Sequence, residues 1–109
     1  MKRTVLIAAL VTALAAALPA VAATPVFKGT VGPGFTISMA SKPKVKGLTK
    51  IVVNDKAGNH NFHLTGPGVN VKTSVSAIGT KTFAVTLRKG TYKFVCDPHL
   101  FMKGSFTIK

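Results

Sequence analysis

The sequence has a single cysteine and only two acidic residues, and each shortage excludes something. One cysteine cannot form an intramolecular disulfide, so in an exported protein Cys96 is an intermolecular partner, a reactive thiol or a metal ligand. The two acids, Asp55 and Asp97, stand against 15 basic residues, which gives a formal net charge of +13. Asp97 is therefore the only carboxylate near Cys96 that could assist acid–base chemistry.

No long hydrophobic run follows the first 22 residues, and the run within them is short. Val5–Leu18 is a stretch of 14 residues that is apolar except for Thr12, whereas a membrane-spanning helix needs roughly 20. Lys2 and Arg3 precede it and Pro19-Ala20-Val21-Ala22 follows it, which is the pattern of a secretory signal peptide. We expect cleavage after Ala22 or within a residue or two, leaving residues 23–109 as one exported domain. An uncleaved membrane anchor is the alternative.

Export would place the mature protein in a periplasm or outside the cell, as a monomer with a formal charge of +11 once Lys2 and Arg3 are removed. The positive electrostatic potential that this net charge creates favours encounter with anionic surfaces. The expected partner is an acidic protein or the anionic headgroups of a membrane, although the lysines could also be simply solvated. Nucleic acid is not expected, because the protein is exported and no helical or aromatic-interleaved basic motif is present.

A helical period is also missing from residues 23–109, where apolar residues recur at every second position instead. This alternation is typical of half-buried strands. Turn sequences such as Gly32-Pro33-Gly34 and Gly66-Pro67-Gly68 separate the runs. We predict an all-β domain, an antiparallel Greek-key sandwich or small barrel of about seven to eight strands. The predicted strands are 26–31, 35–39, 48–53, 82–88, 92–96 and 105–108, with a further strand-like segment at 58–64, and Met39 continues the face of Phe35 and Ile37 as a core residue.

The C-terminal stretch from Cys96 to Met102 carries the chemistry. It places the Cys96 thiol, the His99 imidazole and the Met102 thioether three residues apart, beyond a strand whose inward face is Tyr92 and Phe94. These soft and borderline ligands suit a copper ion that cycles between Cu(I) and Cu(II). The alternative is a buried inert cysteine with an unrelated surface histidine and core methionine.

A fourth ligand must come from upstream, at His60 or His63. His60 shares strand parity with Phe62 and Leu64, so it faces the core if they do, and His63 then faces away. We therefore predict His60 as the ligand. A bulge would reverse the parity and favour His63.

The motif Cys-x-x-His-x-x-Met with His60-Asn61 upstream resembles the small type 1 copper proteins, the plastocyanin/azurin-type cupredoxins. The two-residue gap between His99 and Met102 is most similar to the short ligand loop of amicyanin. The resemblance implies one copper held by His60, Cys96 and His99 with Met102 weakly axial. It also implies that Asn61 joins the two ligand-bearing segments by hydrogen bonds.

The resemblance implies a one-electron carrier between redox partners. Periplasmic copper storage or delivery is the alternative, and an enzyme is not expected, because Cys96 and His99 sit in one turn and three histidines cannot build additional copper centres. In this family electrons enter at the C-terminal histidine, within an apolar patch expected here from Leu100, Phe101 and Pro67 with the Gly32–Gly34 turn. The acidic patches of plastocyanin are missing, so we expect lysines to orient an acidic redox partner.

Overall fold

The computed structural model describes residues 4–5, 7–13, 18 and 22–109. Eight strands account for nearly all regular structure in this part of the chain. They are β1 (Val26–Val31), β2 (Ile37–Met39), β3 (Gly47–Asp55), β4 (His63–Gly66), β5 (Val69–Lys72), β6 (Gly79–Leu87), β7 (Gly90–Cys96) and β8 (His99–Ile108). The predicted signal peptide falls largely outside the described residues. Within them, no helix has the length and hydrophobicity to cross a bilayer.

The strands form two four-stranded sheets, in the orders β2-β1-β3-β6 and β5-β4-β7-β8. This two-sheet sandwich confirms the all-β fold class. One pairing departs from the expected antiparallel arrangement, because β1 and β3 run parallel, from Val26 opposite Lys50 to Val31 opposite Asp55. The reason is topological: β2 occupies one edge of β1, and residues 40–46 return the chain to the starting end before β3 begins.

The core lies between the sheets, and its clearest alternation of buried and more exposed residues is along β3 and β7. In β3 the buried residues are Thr49, Ile51, Val53 and Asp55, and in β7 they are Tyr92, Phe94 and Cys96. Two aromatic pairs stack with nearly parallel rings within the core. The ring centroids of Phe62 and Phe94 are 5.3 Å apart, and those of Tyr92 and Phe106 are 5.1 Å apart. Such pairs add about 0.5–1.5 kcal/mol each beyond the burial of their area.

Glycines in the second sheet leave room for these rings. A Cβ atom at Gly66 would overlap the ring of Tyr92, and one at Gly104 would overlap the ring of Phe94. Gly104 lies directly opposite Phe94 in the β7–β8 pair, so the ring occupies the space that a side chain would need. The two glycines thus let the rings of Tyr92 and Phe94 lie against the backbone of the neighbouring strands, β4 and β8.

Two ends of the sandwich can be distinguished. One, which we call the Cys96 end, holds the ends of β1, β3 and β7 and the start of β8. The opposite one, which we call the far end, holds residues 40–47, 66–68, 88–90 and 109. At the far end the backbone N–H of Arg88 donates to the Tyr92 hydroxyl (2.8 Å), which donates to the carbonyl of Pro67 (3.0 Å). These bonds join the two sheets there.

Several predicted strands differ from those observed. The first strand has the predicted bounds, whereas β5 was not predicted and β4 begins only at His63. Phe35 lies outside β2 and is 61% exposed, so it does not share the core face with Met39, which is buried as expected. The Gly32–Gly34 turn ends the alternation, because Gly32 and Gly34 both adopt positive φ values (68° and 70°) and turn the chain before β2 begins.

Candidate metal centre

Cys96 is the last residue of β7 and its side chain is fully buried. It lies on the same face of the strand as Tyr92 and Phe94, because inward positions recur at every second residue. It forms no disulfide. A buried thiolate in apolar surroundings is costly unless a cation neutralises it. The position therefore suits a metal ligand held at the top of the core.

His99 is brought beside Cys96 by an irregularity in the β7–β8 pair. Val95 pairs with Lys103, but the next residue, Cys96, pairs with His99 instead of the Met102 that a continued register would supply. The chain thus folds back within Asp97-Pro98, and residues 100–102 of β8 have no partner on β7. The result is a thiol and an imidazole opposite each other at the strand ends.

His60 comes from the segment between β3 and β4 and is 2% exposed. Its Nδ1 atom lies 3.0 Å from Nδ1 of His99 and 3.7 Å from Sγ of Cys96. The same Sγ lies 3.6 Å from Nδ1 of His99. One sulfur and two ring nitrogens therefore form a small triangle, with all three candidate ligand atoms within 4.8 Å of one another.

The triangle fits a metal ion of the size of copper. With a metal–nitrogen distance of about 2.0 Å and a metal–thiolate distance of about 2.3 Å, a trigonal ion needs sulfur–nitrogen separations of about 3.7 Å and a nitrogen–nitrogen separation of about 3.5 Å. The observed sulfur–nitrogen distances, 3.6 and 3.7 Å, match this requirement. The 3.0 Å between the two imidazoles is shorter, and a movement of about 0.5 Å would open it.

Met102 lies on the inward face of β8, in alternation with Phe106 and Ile108, and is 2% exposed. It is near the Cys96 end, because a continued register would place it opposite Cys96. The structure thus brings His60, Cys96 and His99 together and places Met102 on a core-facing position at the same end. Their assignment as copper ligands remains a prediction.

Asn61 joins the segment of His60 to the loop of Cys96 and His99. Its Nδ2 donates to Oδ2 of Asp97 (2.8 Å), and its Oδ1 accepts from the backbone N–H of Asp97 (2.8 Å). A further bond from Nδ2 reaches the carbonyl of Thr73 (3.3 Å), and Asn61 is fully buried. These bonds agree with the tie that the resemblance implied, and they fix the two ligand-bearing segments relative to each other.

His63 lies outside the triangle and points away from the core. Its Nδ1 is 2.8 Å from Oδ1 of Asp97, and its Nε2 is 2.7 Å from Oδ1 of Asn70. The hydrogen bond with Asp97 raises the pKa of His63, partial burial opposes this, and the bond with Asn70 adds to the increase. The parity argument expected His60 to face the core and His63 to face away, and the two side chains do so. His60 lies outside any strand, however: residues 60–62 are all buried, and His63 is the first residue of this segment that is partly exposed.

Asp97 connects His63 with Asn61. Burial alone would raise the pKa of Asp97, but the hydrogen bonds from Asn61 and His63 outweigh it and the pKa lies below its ordinary value. Asp97 is therefore held as a carboxylate in the loop between Cys96 and His99. Neither its role nor that of Thr73 was predicted from the sequence.

Phe35 covers the two imidazoles, and sequence reasoning missed this. Its ring meets His99 edge-on at a centroid distance of 5.0 Å and His60 at 5.5 Å. Together with Leu100 and Phe101, which are also exposed, it forms what we call the apolar rim. The predicted membership of Pro67 in this patch was wrong, because Pro67 lies in the β4–β5 turn at the far end, bonded to Tyr92.

Comparison with known proteins assigns the chain to a family. The sequence model of the copper-binding proteins of the plastocyanin/azurin family matches residues 35–109. The chain belongs to this family. It is a type 1 cupredoxin with one copper ion as its cofactor, which confirms the resemblance and the predicted metal.

Individual relatives agree with this. Amicyanin-alpha of Methylorubrum extorquens is 36% identical over 59 residues, which cover 51% of this chain and 50% of that protein, so the chain spans about half the length of this relative. Rusticyanin from Thiobacillus ferrooxidans superposes with a TM-score of 0.59 at 22% identity, covering 79% of this chain and 77% of the other. A reduced-state amicyanin variant gives 0.51 at 16% identity, covering 79% and 82%. Both structural matches support the fold alone.

Proposed function

We propose that this protein is an exported one-electron carrier whose copper is held by His60, Cys96 and His99, with Met102 as a weak axial ligand. The observation that carries the proposal is the triangle of Sγ and two Nδ1 atoms, closed to within 4.8 Å at the end of a β-sandwich. Copper bound there would accept and release one electron by cycling between Cu(II) and Cu(I). Membership of the cupredoxin family supports the same activity.

The scaffold supports this function because it holds the ligand-bearing segments from several directions. Cys96 is fixed by β7, and Asn61 bonds the segment after His60 to Asp97. Such outer hydrogen bonds orient ligands and limit their movement. A site that barely rearranges between oxidation states exchanges electrons with a small barrier, and the buried rings of Phe62 and Phe94 beneath it exclude water.

Electron exchange would take place at the apolar rim. His99 is only half-buried, and Phe35, Leu100 and Phe101 surround it with exposed apolar surface. Exposed apolar groups around a functional site are typical of interaction surfaces. Redox partners use small, short-lived interfaces, which a rim of three side chains would suit.

The expected partner is an acidic redox protein, met in the periplasm or outside the cell by the monomer after signal-peptide cleavage. The excess of basic residues supports this, because charge complementarity mainly raises the association rate. It also supports peripheral contact with an anionic membrane surface. The same export argues against nucleic acid as a partner.

Burial argues against the two rival functions. A copper store or delivery protein would be expected to expose its ligands to a recipient, but Cys96 and His60 are both buried and Phe35 covers the imidazoles. A thiol nucleophile must reach a substrate, and the Cys96 sulfur has no exposed surface. An electron carrier needs neither kind of access.

The test is a titration of the purified mature protein with Cu(II), followed by visible absorption, electron paramagnetic resonance and voltammetry. We expect saturation at one equivalent, an intense blue band with narrow copper hyperfine splitting, and reversible one-electron voltammetry. A colourless sample would refute the site. A blue sample that loses Cu(I) readily to a chelator and shows no reversible wave would refute electron transfer in favour of copper handling.

A further inference from the structure

Charge is segregated along the axis of the sandwich. Both acidic side chains lie at the Cys96 end, Asp55 at the end of β3 and Asp97 in the ligand loop. The far end holds only basic charged side chains. They are Lys42, Lys44, Lys46, Arg88, Lys89 and Lys109, and all six are exposed.

The strand register brings these cations together. Gly47 pairs with Leu87, so Lys46 and Arg88 are the next residues beyond one pair of strand ends. Gly90 pairs with Ile108, so Lys89 and Lys109 lie beyond another. The hydrogen bonds from Arg88 through Tyr92 to Pro67 hold these strand ends at one end of the molecule. The cations therefore form a single basic surface.

Two exposed aliphatic side chains lie close in sequence to these cations. Val45, between Lys44 and Lys46, is 76% exposed, and Leu48 is 57% exposed. Buried Pro43 anchors the same loop. We call residues 41–48 the basic loop. Apolar groups flanked by lysines suit the boundary between headgroups and acyl chains, where lysine stems lie along the apolar layer and their amines reach the phosphates.

The start of the mature domain lies beside this loop. Residues 22–25 line a shallow cleft together with the basic loop, and the carbonyl of Pro25 accepts a hydrogen bond from the backbone N–H of Lys50 (2.9 Å). If the signal peptide is removed after Ala22, the new amino group adds another positive charge at the far end.

We propose that the far end docks on anionic lipid headgroups, with the basic loop inserted at the bilayer surface. A lipid surface fits better than an acidic protein, because protein interfaces are depleted in lysine and enriched in aromatic residues, and the far end exposes lysines with two aliphatic side chains. The docked molecule presents the apolar rim away from the membrane. This inference rests on the membrane contact proposed above and names the surface that makes it; its test requires no copper, so its failure is distinguishable from failure of the proposed copper site.

The test measures sedimentation of the copper-free mature protein with phosphatidylcholine vesicles that contain or lack phosphatidylglycerol. We expect binding only with the anionic lipid. The K44Q/K46Q variant should bind about 30-fold more weakly, since each lysine near a membrane contributes about fivefold. The control K72Q/K103Q removes the same charge from the outer face near the Cys96 end and should bind as the parent does. Equal losses in the two variants, or binding without phosphatidylglycerol, would overturn the proposal.

A second variant tests the aliphatic tip and the competing partner. V45S/L48S should weaken vesicle binding at a salt concentration that screens the lysines, while leaving binding to poly-L-glutamate unchanged. Capture of poly-L-glutamate through Lys44 and Lys46, with no binding to anionic vesicles, would overturn the lipid assignment in favour of an acidic polypeptide. Circular dichroism confirms that each variant is folded, which is expected because all substituted residues are at the surface.

Discussion

Asn61 and Asp97 are joined by a reciprocal pair of hydrogen bonds, each 2.8 Å long, across 36 residues of sequence. The amide of Asn61 donates to the carboxylate of Asp97 and accepts from its backbone N–H. One side chain thereby holds the His60 segment against the loop that begins with Cys96. The position of His60 relative to the thiol depends on this contact as well as on the strands.

Replacing Asn61 with alanine should destabilise the protein by about 1–3 kcal/mol, because the variant removes a buried amide and leaves the partly buried backbone N–H of Asp97 without its partner. The measurement is urea unfolding of the copper-free protein. Asn70→Ala, which removes an exposed amide bonded to His63, is the control and should change the free energy of unfolding by less than about 0.5 kcal/mol. A similar decrease in the free energy of unfolding of both variants would show that the Asn61–Asp97 hydrogen bonds do not stabilise the fold more than a surface contact does.

The two upstream histidines should respond differently to substitution. His60→Ala removes one corner of the triangle and should abolish the intense blue band on addition of Cu(II). His63→Ala should keep the band, because His63 bonds to Asp97 and Asn70 outside the triangle. Visible absorption and electron paramagnetic resonance of both variants decide the matter. A blue His60→Ala protein together with a colourless His63→Ala protein would reverse the ligand assignment.

The His63–Asp97 pair should make stability depend on pH. The raised pKa of His63 means that its contribution is complete below the ordinary value of 6.5 and is lost as pH rises through the folded-state value. The lowered pKa of Asp97 means that its contribution is present above 3.8 and is lost as pH falls through the folded-state value. The pair therefore stabilises the fold most between these limits.

Urea unfolding of the copper-free protein and of His63→Gln at about pH 5 and about pH 9 measures this effect. The parent should be more stable than the variant at the lower pH and lose that advantage at the higher one, by less than about 1 kcal/mol, because Asp97 is partly exposed to solvent. Lys103→Gln, a charge change on the same outer face, should show a difference that does not vary with pH. An advantage that grows toward alkaline pH would contradict the assignment.

Phe35 should slow the escape of copper. Truncation to alanine removes the edge-on contacts with His60 and His99, and aromatic contacts of this kind are worth about 0.5–1.5 kcal/mol. Removal of Cu(I) by an excess of chelator should therefore be about 2- to 12-fold faster in Phe35→Ala. Leu48→Ala, a truncation at the far end, serves as the control and should match the parent. Equal rates in all three proteins would show that the ring does not protect the site.

Local pattern located most of the strands, but it misplaced several strand ends and did not predict the strand partners. The bounds of β1 agree with the prediction, although its alternation is weak. The pattern missed β5, since Val-Asn-Val-Lys offers only two apolar positions. It also could not indicate the parallel pairing of β1 with β3, because that depends on the path of residues 40–46 rather than on any property of the strands.

The candidate site shows the same division. The spacing from Cys96 to Met102 is local and pointed to a metal directly, whereas His60 needed an argument about faces. The roles of Asp97 and Phe35 depend on contacts between segments far apart in sequence, to His63 and to the imidazoles. The alternation of residues 35–39 predicted that Phe35 would lie in the core. Phe35 is at the surface instead, because it follows the turn at Gly32–Gly34 and lies outside β2.

The break in register after Val95 separates the ligand loop from the strands that carry it. Pairing between β7 and β8 is continuous from Gly90–Ile108 to Val95–Lys103, and the departure is confined to the residues beyond. The pair of Val95 with Lys103 is therefore the last regular pair of the scaffold before the ligand loop. Residues could be added to or removed from the stretch between Cys96 and Met102 without disturbing the β7–β8 pairing that precedes it. The same β-sandwich is therefore able to accept ligand loops of other lengths and, through them, other copper environments.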